Sequence, residues 1–235
     1  MNKLAVITGG SKGIGRALID HFAEHGFDII TCSRNVEELQ ELKKTMEAKH
    51  AGVQVYCQKA DLAIKQEVDG FVTFCKRLSR PIEVLINNAG SFIPGQIYDE
   101  EDGALQKMIS VNLYSAYNVT RGLIDNMIDR RSGHIFNMCS IASIIAYKVG
   151  GSYCIAKHAL LGMSKVLREE MKEFNIRVTA ILPGATLTDS WAGVDLPVER
   201  FLKPEDIAAA VYSAYAISER SVVEELLIRP QLGDF

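Results

Sequence analysis

Tyr153 and Lys157 stand four residues apart in Tyr153-Cys154-Ile155-Ala156-Lys157, and Ser140 lies thirteen residues upstream. Residues four apart share one face of a helix. A lysine ammonium beside a phenol favours the phenolate, so this spacing predicts a tyrosine pKa below its ordinary value of about 10. Such a phenol can exchange a proton near neutral pH, and a hydroxyl such as Ser140 can hold a carbonyl oxygen against it. The pair alone also fits an ordinary helix face. What decides between the two is whether the rest of the chain supplies a reaction partner.

The elements that must position these residues follow from the apolar pattern. Short apolar runs at 4–8, 27–32, 53–57, 82–86, 134–139, 176–182 and 222–229 predict seven strands. Helical stretches at 14–25, 37–49, 66–78, 100–130, 152–174 and 204–216 lie between them, with Gly26 closing the first, Gly103 interrupting the fourth and Pro204 opening the last. Strands alternating with helices predict an α/β fold, a seven-stranded parallel sheet with helices on both faces. No linker or repeat divides residues 1–235, which read as one domain. The stretch 184–203, with Thr186, Thr188, Trp191, Gly193 and Pro197, lacks periodicity and reads as a functional loop over the substrate.

Hydrophobic residues make up 48% of the chain, enough for a sizeable core, and the net charge of −3 gives no electrostatic footprint for nucleic acid or an anionic membrane. The apolar run before Gly9-Gly10 is too short for a signal peptide or a membrane span, so a cytoplasmic protein is expected. Five widely spaced cysteines, Cys32, Cys57, Cys75, Cys139 and Cys154, form no Cys-x-x-Cys pair and predict neither a disulfide framework nor a zinc knuckle. Cys139 and Cys154 adjoin the chemistry but read as small buried hydrophobes. His21 and His25 have metal-pair spacing without an evident third ligand; His25 before Gly26 reads as a helix C-terminus, and no metal is expected.

A reaction partner is written into the first turn. Thr8-Gly9-Gly10-Ser11-Lys12-Gly13-Ile14-Gly15 lies between the first strand and the first helix. Glycines there let the backbone approach a pyrophosphate, and the helix N-terminus offers free N–H groups. A site for NAD places Asp or Glu about twenty residues further on. Here the second strand ends Thr31-Cys32-Ser33-Arg34-Asn35, without a carboxylate. The Arg34 guanidinium suits a 2′-phosphate, with Lys12 as a second cation, so NADP(H) is predicted over NAD(H). Asp61 after the third strand can accept from an adenine amino group. Asn87-Asn88-Ala89-Gly90 and Pro183-Gly184 end the fourth and sixth strands at the edge where such sheets bind ligands. Thr186 and Thr188 can bond a nicotinamide carboxamide or cap a helix.

With these motifs in order, the chain resembles the short-chain dehydrogenase/reductase family in its single-domain form. The resemblance implies a doubly wound Rossmann fold. It also implies a tetrad in which Tyr153 donates a proton to the substrate oxygen, Lys157 lowers the tyrosine pKa and bonds the nicotinamide ribose, Ser140 holds the carbonyl and Asn112 anchors a water on the proton path. The cofactor set it implies is Gly9, Ser11, Lys12, Gly13, Ile14, Gly15, Ser33, Arg34, Asp61, Leu62, Asn88, Ala89, Gly90, Tyr153, Lys157, Pro183, Gly184, Thr186 and Thr188. The C-terminal segments 183–191, 204–208 and 222–230 with Gly233-Asp234 look like the bacterial sepiapterin-reductase-like branch, whose members reduce dicarbonyl side chains on pterins or related aromatic diketones. Phe92, Tyr147 and Trp191 would then line the pocket; Trp191 can equally pack within the lid.

The resemblance therefore implies reduction of a small-molecule ketone or diketone carbonyl by NADPH, and a homodimer or homotetramer built on the long helices. Two other readings compete. A 3-oxoacyl-(acyl carrier protein) reductase would need a basic docking patch, for which Lys148, Arg200 and Lys203 are candidates. A non-enzymatic NADP-binding sensor would be expected to lack a tetrad member, and none is missing here.

Overall fold

The computed structural model describes residues 1–191 and 196–234. Its strands are β1 (Lys3–Thr8), β2 (Phe27–Ser33), β3 (Val55–Lys59), β4 (Val84–Asn87), β5 (Gly133–Met138), β6 (Ile176–Pro183) and β7 (Glu225–Ile228). All pair in parallel, in the order β3-β2-β1-β4-β5-β6-β7. The order reverses between β1 and β4, and ligands of such sheets bind beyond the carboxyl ends of the strands at that reversal.

The helices are α1 (Gly13–Glu24), α2 (Val36–Lys49), α3 (Lys65–Arg77), α4 (Ala104–Ile109), α5 (Ser115–Leu123), α6 (Asp125–Ile128), α7 (Gly151–Met171) and α8 (Pro204–Ala216). Side chains alternate across each strand, and that alternation makes two cores. Ala5 and Ile7 of β1 pack with Leu18 and Phe22 of α1, Leu42 of α2 and Val211 of α8. Leu4 and Val6 point the other way, into Phe71 of α3, Val119 of α5 and Met171 of α7. The doubly wound α/β fold expected from the sequence is the fold observed. No helix among the described residues is long and apolar enough to cross a membrane.

Three stretches differ from the sequence reading. The helix expected over 100–130 begins only after Gly103, whose φ of +90° breaks it, and is interrupted again by Ser110–Tyr114. Glu100 is not in that helix at all. Its carboxylate reaches the start of α7, where Ser152 N–H donates to Oε1 at 2.9 Å and the Ser152 hydroxyl bonds Oε2. A negative group there offsets the positive end of the helix dipole. The seventh strand is half the expected length. Within the loop 184–203, Asp189–Trp191 and Val198–Arg200 form short 3-10 turns, and Thr186 bridges to Leu202. Residues 192–195, Gly193 among them, lie outside the described residues.

Candidate active site

The glycine turn runs from the end of β1 into α1. Gly13 takes a φ of +52°, and a β-carbon added there would lie 3.0 Å from the Thr188 methyl. A β-carbon on Gly15 would collide with the Gly9 carbonyl oxygen. Beneath the turn, the Thr8 hydroxyl accepts from the backbone N–H of Asn88 and of Ala89, each at 3.0 Å. The Asn88 amide donates back to the Thr8 and Gly9 carbonyls at 2.9 and 3.1 Å. Asn88 therefore holds the turn from β4. Thr8 in turn holds the end of β4 and was not among the expected site residues; only its position ahead of the glycines hinted at it.

At the end of β2, the Ser33 hydroxyl donates to the Asn35 carbonyl at 3.1 Å, and Asn35 caps α2 by accepting from Glu38 N–H at 3.0 Å. Arg34 is exposed. Lys12 Nζ stands 2.9 Å from Glu38 Oε1 and 3.5 Å from Asp189 Oδ2. Asp61 Oδ1 accepts from Ala63 N–H at 3.0 Å, in a turn that leads into α3. Leu62 is buried in the core beside Val68 and Phe71 and turns no side chain outward.

Ser140, Tyr153 and Lys157 meet just past the end of β5. Ser140 opens a short 3-10 turn, its hydroxyl accepting from Ala142 N–H at 3.1 Å. Tyr153 lies in the first turn of α7, half-buried, with Phe92 edge-to-face on its ring at 5.0 Å between centroids. Lys157 is only 5% exposed; its Nζ donates to the Met138 carbonyl at 2.7 Å and lies 5.7 Å from the centre of the Tyr153 ring. Burial pushes the Tyr153 phenol up to about 12, against the pull of a hydrogen bond with Ser140. Burial pushes Lys157 the other way, down to about 8. The depressed phenol expected from the four-residue spacing is thus not what this structure holds. Helical spacing does bring ring and stem together. The long lysine stem, however, delivers its ammonium to a strand carbonyl, and desolvation outweighs the rest.

Asn112, an ordinary surface position by helical reasoning, is 1% exposed. It sits in Ser110–Tyr114, a π-turn in which Ser115 N–H reaches back five residues to the Ser110 carbonyl. Such turns cluster at functional sites. Its amide donates to the carbonyls of Met108 at 3.1 Å and Ser91 at 3.0 Å, and its Oδ1 accepts from Ser91 N–H at 3.2 Å. A β-carbon on Gly90 would lie 2.7 Å from Asn112 Oδ1 and 3.6 Å from Lys157 Nζ. The bare Gly90 thus lets both side chains approach the same backbone, and the four tetrad positions converge.

A buried ladder beneath the tetrad was not expected. Asn87 donates to Thr120 Oγ1 at 2.9 Å and to Asn137 Oδ1 at 2.8 Å, and Asn137 donates to Ser164 Oγ at 2.9 Å. It ties α5, β4, β5 and α7 together. Lone amides in apolar strands are its only sequence signal.

The flanking residues are placed as follows. Gly184 N–H donates to Ile228 O at 2.7 Å, and an added β-carbon would lie 2.5 Å from Asp234 Oδ1; Arg229 holds Asp234 at 2.6 Å. The Thr186 hydroxyl donates to Gly184 O at 3.0 Å. Trp191 packs on Phe201 at 5.3 Å. Tyr147 borders a cavity of about 530 Å³ with Tyr98, Gly151, Cys154, Ile155 and His158; neither Tyr153 nor Ser140 lines it. All five cysteines are free thiols. Glu24 lies beside His21 and His25, with one potential ligand atom of each within 4.8 Å of the others, a proximity that the spacing of the histidines did not reveal.

Comparison with known proteins adds the following. A model described as short chain dehydrogenase matches residues 3–197. A sepiapterin reductase from Chlorobaculum tepidum is 32% identical over 242 residues, covering 100% of this chain and 98% of its own. An alcohol dehydrogenase from the archaeon Thermococcus sibiricus, complexed with 5-hydroxy-NADP, superposes with a TM-score of 0.91 at 26% identity, covering 97% of each chain. The L-sorbose reductase of Gluconobacter frateurii, complexed with NADPH and L-sorbose, superposes at 0.87 with 30% identity, covering 97% of this chain and 95% of its own.

Proposed function

The chain belongs to the short chain dehydrogenase family and is an oxidoreductase, and from that premise we propose that it reduces a ketone or diketone carbonyl on a small flat molecule with NADPH. The observation that carries this reading is the convergence of Ser140, Tyr153, Lys157 and Asn112 at the end of β5, across the sheet reversal from the glycine turn.

The residues fit the cofactor. Gly13 and Gly15 keep the turn clear of β-carbons, α1 offers its N-terminus, and Lys12 and Arg34 flank the end of β2. When bound, NADPH supplies the hydride. Ser140 and Tyr153 hold the substrate oxygen between two hydroxyls. A phenol held up at about 12 is fully protonated at neutral pH, so Tyr153 acts as the acid as charge develops on that oxygen. Lys157, brought down to about 8, can give and regain a proton near neutral pH and restores the phenol. Its ammonium also suits a hydroxyl of the nicotinamide ribose. Asn112, fixed to Ser91 and Met108, stands on the path from Lys157 outward.

The Chlorobaculum sepiapterin reductase supports a dicarbonyl side chain on a pterin, or a related aromatic diketone, as substrate. Phe92 on the Tyr153 ring and the Trp191–Phe201 pair supply aromatic surfaces for a flat molecule. The test follows NADPH absorbance over pterins, α-diketones and acetoacetyl thioesters. Turnover of the diketones supports the reading; preference for thioesters moves it to acyl-carrier reduction. Equal turnover by Tyr153→Phe would sink the mechanism.

Exposed Tyr114 and Tyr117 around α5, with Ile155 and Val166 on α7, support a homodimer or homotetramer built on these helices. Light scattering should give two or four chains per particle; a monomer at micromolar concentration would refute it.

A further inference from the structure

The donor set expected to receive the 2′-phosphate is already engaged with an anion of the protein's own. Glu38 opens the first turn of α2, its backbone N–H held by Asn35. From there its carboxylate reaches back over the glycine turn to Lys12 Nζ at 2.9 Å. The Lys12 and Ser11 hydrogen bonds hold the Glu38 carboxyl below the usual carboxylate range, and the Arg34 charge adds to them. Two donors of the glycine turn, Lys12 and Ser11, therefore meet one carboxylate, with the Arg34 charge nearby. Asp189, from the loop that lays Thr188 against Gly13, reaches Lys12 at 3.5 Å.

We propose that Glu38 is an internal competitor for the 2′-phosphate: its carboxylate occupies the Lys12 and Ser11 donors beside Arg34 and must release them when a phosphate enters. The inference rests on the NADP reading above and deepens it. A non-phosphorylated cofactor has no group that needs those donors, so it leaves the Lys12–Glu38 pair intact. A phosphate brings charge that Arg34 can hold bidentately, but to use Lys12 it must first displace the Glu38 carboxylate. Glu38 thus narrows the preference for NADPH over NADH below what Arg34 and Lys12 alone would give. The pair is exposed, so moving it aside costs little.

The test is calorimetric titration of the protein without substrate, using NADPH, NADH and 2′,5′-ADP, for the unmodified chain and for Glu38→Gln. Gln keeps the size and removes the charge. The expected result is about three- to fivefold tighter NADPH and 2′,5′-ADP, the range that an exposed ion pair accounts for, with NADH changed less than twofold. Adding Lys12→Met to Glu38→Gln should erase the gain. Glu38→Gln that leaves 2′,5′-ADP unchanged or weakens it, or that tightens NADH equally, overturns the inference while leaving the cofactor reading standing. An unmodified chain that binds neither NADPH nor 2′,5′-ADP overturns the cofactor reading itself, and the inference with it.

Discussion

The two ends of the sheet use buried polar groups in opposite ways. At the amino ends of the strands, Asp28 is 4% exposed and fully partnered. It pairs with Arg80 at 2.7 Å and accepts from Gln54 N–H at 2.8 Å and the Asn2 amide at 3.0 Å. Burial pushes its carboxyl up, and the bonds from Gln54, Asn2 and Arg80 more than reverse that, so it ends below the usual range. At the carboxyl ends, Lys157 and Tyr153 have no opposite charge against them among the described residues, and burial drives each toward its neutral form. A fully compensated charge is structural. An uncompensated one is poised to exchange a proton, which is where perturbed groups gather in enzymes.

Three substitutions test that contrast, from the largest effect to the smallest. Tyr153→Phe should lower kcat by about 10²–10⁴-fold, the usual worth of a positioned acid, with NADPH affinity and Tm preserved. A matching fall in Tm would place Tyr153 with the structural groups. Arg80→Ala should do the reverse. It strands buried Asp28 and costs roughly 3 kcal/mol in urea unfolding, with kcat per folded molecule unchanged. Loss of kcat without loss of stability would erase the distinction between the ends.

Lys157→Met joins the two effects: activity should vanish while stability at pH 7 rises by about 2 kcal/mol. The sign follows from the depressed folded pKa. The native lysine binds its proton less tightly than the unfolded one, so the unmodified chain gains stability as pH rises from about 8 toward 10.5 and is at its disadvantage below about 8. The advantage of the variant should therefore be full at pH 7 and fade across that window, in thermal melts of the cofactor-free protein. A variant less stable than the parent at pH 7 would show that the bond to Met138 outweighs the desolvation.

How far the site was legible depended on whether a residue's role is local. The glycine turn, the run Tyr153 to Lys157 and Ser140 after a strand are written in short segments whose geometry follows from residue type. Asn112 was reached only through family resemblance, because a π-turn has no period to read. Thr8 and Glu38 escaped because each acts on a segment from another element: Thr8 on the end of β4, Glu38 on the glycine turn. Glu100 was assigned to the wrong element for the same reason. Its partner Ser152 is 52 residues away, and a carboxylate near an apparent helix start fits either role.

The sequence by itself determined the alternation of strand and helix, the parallel sheet, the phosphate-ready turn and the order of the chemical groups, since these rest on local periodicity and backbone freedom. Only the tertiary structure decided which way each pKa moved and which anion faces the donors of the turn. Protonation is set by burial and by the nearest partner across the chain. Lys157, four residues from the phenol it was expected to depress, spends its hydrogen bond on Met138, nineteen residues away in sequence and adjacent only because β5 and α7 pack together.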